Sequence, residues 1–99
     1  MSKRFYHIVK SGRLVLVDFY ADWCIPCRTM SIVLKEIKDQ YKLKVRIIKV
    51  NVDHYPDIAM NYQIHNIPSI VLFQDGKIKW SREGVQKATD ISAALKEIL

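Results

Sequence analysis

Long apolar runs, repeats and clustered metal ligands are all missing from this sequence, and each absence narrows what the chain can be. Its 99 residues hold material for one hydrophobic core, so a single domain over residues 1–99 is expected and a second is excluded. No stretch reaches the 18 or so apolar residues of a membrane span, because segments such as Leu14 to Val17 are soon interrupted, there by Asp18. Behind Lys3 and Arg4 there is neither an apolar region of about 7 or more residues nor a small-residue cleavage site, so a cytoplasmic location is expected. With only 3 glycines and 3 prolines the chain is neither collagenous nor a low-complexity linker. Its 2 cysteines give no sign of the disulfide framework typical of oxidising compartments.

What is present is the composition of a packed globular protein, 49% apolar and 26% charged. The 16 lysines and arginines against 10 carboxylates leave a charge of +6, a field that speeds encounters with acidic partners. The basic residues are scattered, and no aromatic RNA-binding signature accompanies them. A solvated basic surface follows, with no specific nucleic-acid partner.

Ser2 is read as the cap of a short helix running to about Gly12, with Phe5, Ile8 and Val9 on its apolar face. Leu14 to Tyr20 is continuously apolar except for Asp18, the pattern of a strand buried on both faces. From Cys24 to about Tyr41, Met30, Val33, Leu34 and Ile37 follow helical spacing. Val45 to Val52 reads as a strand, and Tyr55 to Tyr62 as a short helix with Pro56 in its first turn. Ser69 to Phe73 and Lys77 to Arg82 flank Asp75-Gly76, a strong hairpin signal. Thr89 is read as the cap of a last helix carrying Ile91, Leu95 and Ile98. The order is α-β-α-β-α-β-β-α.

The chemistry sits in Trp23-Cys24-Ile25-Pro26-Cys27, where a buried strand gives way to a helix. Side chains at i and i+3 share a helical face, so the two sulfurs can reach disulfide distance with little adjustment. At a helix N-terminus, unpaired N–H groups and the helix dipole stabilise a thiolate at Cys24, the attacking species in thiol chemistry. Pro26 fits the first turn, where its missing N–H has no intrahelical partner. Three other readings stand beside this one. A zinc site needs two more ligands, and His7, His54, His65 and the carboxylates show no second paired spacing. A permanent disulfide across so short a loop removes little unfolded-state entropy. The third reading is a pair of inert buried cysteines.

The segment Val17-Asp18-Phe19-Tyr20-Ala21-Asp22-Trp23-Cys24-Ile25-Pro26-Cys27, with Ile67-Pro68-Ser69, resembles the thioredoxin family. The likeness runs from Phe5 to Leu99 and takes in Lys49-Val50-Asn51-Val52-Asp53, Asp75-Gly76 and Gly84. It implies an α/β fold, a three-layer α/β/α sandwich around a mixed sheet. It further implies Cys24 as nucleophile, Cys27 as resolving thiol, a cis Pro68 facing the pair, and Ile67 lending its main chain to the substrate. Trp23, Ile25 and Val85 would line an apolar docking rim. Asp18 would lie behind Cys27 with Lys49 nearby. A lone carboxylate in an apolar strand suffers desolvation, which raises its pKa and suits it to accept the Cys27 proton. The alternatives are an outward-turned, solvated Asp18 and a Lys49 that simply extends to solvent.

The resemblance implies a reductase of protein disulfides with no bound cofactor, recharged by an NADPH-dependent flavin reductase. A disulfide oxidase or isomerase, and a redox-silent binding module on the same fold, are its rivals. Ile25 stands where the family most often has glycine, Tyr20 where tryptophan is common, and Ile32 where a proline often kinks the helix. Too few residues precede the first helix for the family's first strand, so a sheet of four strands is expected. Its Val45 to Val52 edge would then be open and guarded by Lys44, Arg46 and Lys49. A monomer is expected, with pairing of two such edges as the alternative.

Overall fold

The computed structural model describes residues 2–99. Among the described residues four helices flank a four-stranded sheet. In chain order the elements are α1 (Ser2–Val9), β1 (Leu14–Tyr20), α2 (Ile25–Tyr41), β2 (Arg46–Asn51), α3 (Pro56–Asn61), β3 (Ser69–Gln74), β4 (Lys77–Glu83) and α4 (Ala88–Ile98), with a 3₁₀ turn at Lys42–Lys44 before β2. The strands lie in the order β2-β1-β3-β4. β1 runs parallel to β2 and antiparallel to β3, and β3 is antiparallel to β4.

The alternation of β1 divides the core in two. Val15, Val17 and Phe19 point to one face, where they pack with Phe5, Val9, Ile58 and Phe73 against α1 and α3. Leu14 and Leu16 point to the other, where Met30, Leu34, Ile37, Ile91 and Leu95 bring α2 and α4 down onto the sheet. Helices cover both faces of β1, which is why it reads as an unbroken apolar run. Its one polar member, Asp18, falls on the α2 side by the same alternation.

The expected fold stands, including the four-stranded sheet with β2 at one edge. Two helix starts differ from expectation. Ser2 lies inside α1 and its hydroxyl donates to Asp57 Oδ2 at 2.5 Å, so the side chain ties α1 to α3. Thr89 lies inside α4, whose cap is Lys87 in extended conformation, because the backbone N–H of Asp90 and Ile91 already reaches Lys87 O. α1 also stops at Val9, earlier than the expected Gly12, which instead turns the chain at φ +87°. β3 and β4 meet at Asp75 (φ 54°) and Gly76 (φ 78°), the two left-handed residues that a tight hairpin matching strand twist requires. Gly76 N–H also donates to Val9 O at 2.7 Å, which pins the end of α1 to this turn.

Phe73 is fully buried and meets Tyr62 at 5.1 Å and Phe5 at 6.0 Å between ring centroids. Phe73→Ala is expected to cost about 3–5 kcal/mol by urea unfolding, as a large core truncation does. Leu43→Ala, at a residue that is 88% exposed, is expected to stay within about 0.5 kcal/mol.

Candidate active site

β1 delivers the chain to a short bend at Tyr20–Cys24, and α2 departs from it. Cys24 caps α2 with φ −86° and ψ 107°, and its sulfur accepts the backbone N–H of Cys27 at 3.2 Å. This is the geometry in which an N-cap side chain satisfies one of the helix's free donors, with sulfur in place of the usual oxygen. Pro26 lies in the first turn, as expected, where no backbone donor is lost. The two sulfurs are joined as a disulfide across a Cα–Cα distance of 5.3 Å. Both cysteines are buried, and together with Ala21 they form a small apolar cluster against which Tyr20, Val52 and Ile67 pack.

Ile67 thus reaches the cysteine pair from the opposite side of the sequence. The Ile67–Pro68 peptide is cis, as the resemblance implies, and Pro68 is buried. Ser69 Oγ donates to Asn66 O at 2.5 Å, and Gly84 N–H donates to Pro68 O at 2.7 Å. The second bond fixes the loop against the end of β4, so that Val85 follows directly from a residue anchored to Pro68. Trp23, Ile25 and Val85 are 68%, 64% and 44% exposed.

Asp53 was noted in sequence only as part of the resemblance, and its contact with Trp23 escaped that reading. The buried Asn51 Oδ1 accepts the N–H groups of Asp53 (2.9 Å) and His54 (3.2 Å), an Asx-type turn at the end of β2. That turn aims Asp53 Oδ2 at Trp23 Nε1, which donates to it at 2.8 Å. The indole is held in place while its face stays open. Asn51 carried the signal for this turn, since an Asn side chain readily accepts the backbone N–H two residues on.

Asp18 is wholly buried, and neither carboxyl oxygen has a hydrogen-bond partner. In register, Lys49 lies beside it on β2 and Ile70 on β3. Desolvation therefore dominates and raises the carboxyl pKa from 3.8 to about 6, with the Lys49 charge pulling weakly the other way. Lys49 does not pair with it. Its ammonium is drawn outward, donating to Ser31 Oγ at 2.7 Å and lying 4.6 Å from the centre of the Tyr20 ring. Lys49 itself is exposed, as a lysine on an edge strand tends to be. Ser31 also went unnoticed in the sequence, although it stands four residues after Cys27 on the same face of α2.

Outside the cysteines an open groove of about 400 Å³ is lined by Tyr20, Cys24, Cys27, Ser31 and Lys49, among others. His54 and His65 are exposed loop residues, and among the described residues no three His, Cys, Asp or Glu side chains gather as a metal site.

The raised pKa makes Asp18 a stability probe. The folded state holds the proton more tightly than the unfolded chain, so stability falls as pH rises from about 4 to about 6 and then levels off. Asp18→Asn removes the ionisation. The variant is expected to exceed wild type by about 2 kcal/mol at pH 8 in urea unfolding and to match it near pH 4. A difference that does not change with pH contradicts the assignment.

Comparison with known proteins agrees with this geometry. The family model described as "Thioredoxin" matches residues 1–97. A thioredoxin-like protein of Synechocystis sp. is 40% identical over 87% of this chain and 82% of its own length. Thioredoxin of Acidithiobacillus ferridurans is 38% identical over 89% of this chain and 82% of its own. The oxidised crystal structure of mitochondrial thioredoxin 3 from Saccharomyces cerevisiae superposes with a TM-score of 0.87 at 31% identity, covering 97% of this chain and 89% of that one. A disulfide set at the cap of α2, beside a cis-proline loop, on a sheet of this topology leaves one conclusion: the chain belongs to the thioredoxin family and is a protein-disulfide oxidoreductase that works by dithiol–disulfide exchange through Cys24 and Cys27.

Proposed function

We propose that the chain acts as a single-domain, monomeric reductase of protein disulfides in the cytoplasm, carrying electrons from an NADPH-dependent flavin reductase to its targets. The observation that carries this reading is the sulfur of Cys24 at the N-cap of α2, accepting the Cys27 N–H. After reduction the same N–H group and the helix dipole face a thiolate, which they stabilise.

In the reducing direction, Cys24 thiolate attacks one sulfur of the target disulfide. A Cys24–target disulfide forms, and the target's other sulfur leaves as a thiolate. Cys27 then gives up its proton and attacks Cys24 Sγ, which closes the Cys24–Cys27 disulfide and expels the second target thiolate. Protons from the medium complete two target thiols. Two electrons have passed from this chain to the target, and the partner reductase restores them.

Asp18 is assigned as the acceptor of the Cys27 proton, directly or through water. A carboxyl group titrating at about 6 is a better proton acceptor for a thiol than one at 3.8. Lys49 contributes charge that keeps Asp18 from rising further. Trp23, Ile25 and Val85 form the apolar rim that receives the target, and the Ile67 main chain beside cis Pro68 pairs with the target backbone. No cofactor takes part in the exchange. The monomer reading is supported by Arg46 and Lys49 on the edge strand β2 and Lys44 just before it, where like charges oppose pairing with a second copy. No helix among the described residues is long and apolar enough to cross a membrane.

The test is NADPH-coupled reduction of a protein disulfide. Cys24→Ser is expected to bring the rate to the uncatalysed background. Cys27→Ser is expected to accumulate a target adduct whose mass equals the two chains joined through Cys24. Turnover by the Cys24→Ser variant overturns the assignment of the nucleophile, and so does an adduct formed through Cys27 in the wild-type chain.

A further inference from the structure

Beside the cysteine pair, away from the apolar rim, the surface is grooved and basic. The concavity that contains Cys24 and Cys27 shares Ser31 and Lys49 with a second one of about 270 Å³, lined by Leu34, Lys35, Lys38 and Ile47. Arg28, Ser31, Lys35 and Lys38 recur at intervals of three and four residues after Cys24, so they form one stripe along α2. Lys49 faces that stripe from β2 through its bond to Ser31. Arg28, Lys35, Lys38 and Lys49 are all exposed. Asp22, at the rim next to the cysteines, is the carboxylate in this lining, and Asp39, exposed and four residues after Lys35, adjoins the stripe at its far end. Glu36 lies on the opposite flank of α2, in a hollow shared with α4. The outer side of the groove is the edge strand β2, which no described strand covers.

Resting on the exchange reaction assigned above, we propose that this groove is a docking surface for acidic segments flanking the target's disulfide, so that the chain selects among protein disulfides by the charge around them. Four cations within one continuous hollow, with exposed Ile32 in its lining, suit an extended peptide that carries carboxylates between apolar residues. From Cys27 to Lys38 the helix rises about 16 Å at 1.5 Å per residue, the span of about five extended residues. Carboxylates within about five positions of the attacked cysteine therefore reach the stripe. The remaining positive charge of the chain adds steering from a distance, and the groove converts it into a preference at the site.

Three synthetic peptides, each cyclised through one disulfide and alike except for Glu, Gln or Lys at the flanking positions, provide the test. At about 10 mM salt, where the screening length is roughly 30 Å, kcat/KM for the Glu peptide is expected to exceed that for the Lys peptide by about tenfold. The ratio is expected to fall toward one above about 0.5 M salt. Replacing Lys35→Glu together with Lys38→Glu is expected to bring the low-salt ratio to about two or below. The pair Lys77→Glu and Lys79→Glu changes the net charge equally on β4, at the other edge of the sheet, and is expected to keep the ratio within about twofold of wild type. Equal rates for the three peptides in the wild-type chain overturn the proposal and leave the exchange reaction standing. A β4 pair that erases the preference as fully as the groove pair also overturns it, because net charge alone then accounts for the effect. Failure to reduce any of the peptides counts instead against the reductase reading.

Discussion

The structure turns on one contact, the backbone N–H of Cys27 directed at the sulfur of Cys24. A helix leaves its first amide donors without partners, and a side-chain oxygen from Ser, Asp or Asn usually takes one of them. Here a cysteine occupies the cap, so the donor that other helices use for stability is available to a reacting sulfur. The rest of the local architecture keeps this arrangement in place. β1 is packed on both faces and serves as the platform, Pro26 holds the first turn of α2, and the Ile67 side chain closes the cluster around the disulfide.

The second constraint is electrostatic. A carboxylate in the α2 layer has no hydrogen-bond donor, and the one cation beside it in register is drawn outward to Ser31 and Tyr20. An unpaired buried charge is costly, so Asp18 is held in a state where protonation near pH 6 relieves the fold. In the proposed mechanism, stability surrendered at this position serves a reaction that must shed a proton. The placement of Lys49 also joins the interior to the surface, since the same ammonium that biases Asp18 lines the basic groove beside the cysteines.

Much of this was legible from residue order. Leu14 to Tyr20 announced a doubly covered strand, Asp75-Gly76 a hairpin, and the spacing of Cys24 and Cys27 ahead of a helical pattern placed both sulfurs in its first turn. The expected sheet of four strands, with β2 at its edge, is the one the described residues form. What escaped depended on contacts between distant segments. Ser2 and Thr89 have the chemistry of caps, but an interaction with Asp57 engages the first and α4 starts before the second. Asp53 and Ser31 acquire their roles only when register and packing bring them to Trp23 and Lys49, residues 30 and 18 positions away. Periodicity reports which face a residue occupies, and it carries no information on what that face will meet.

The central claim is that the start of α2 favours a charged sulfur at Cys24, and it is tested most directly on the reduced protein. The rate at which iodoacetamide alkylates Cys24 is followed against pH, with mass spectrometry locating the adduct. The account predicts a midpoint clearly below the roughly 8.5 of a free cysteine, with Cys24 modified ahead of Cys27. A midpoint at or above that value, or Cys27 reacting first, would contradict it.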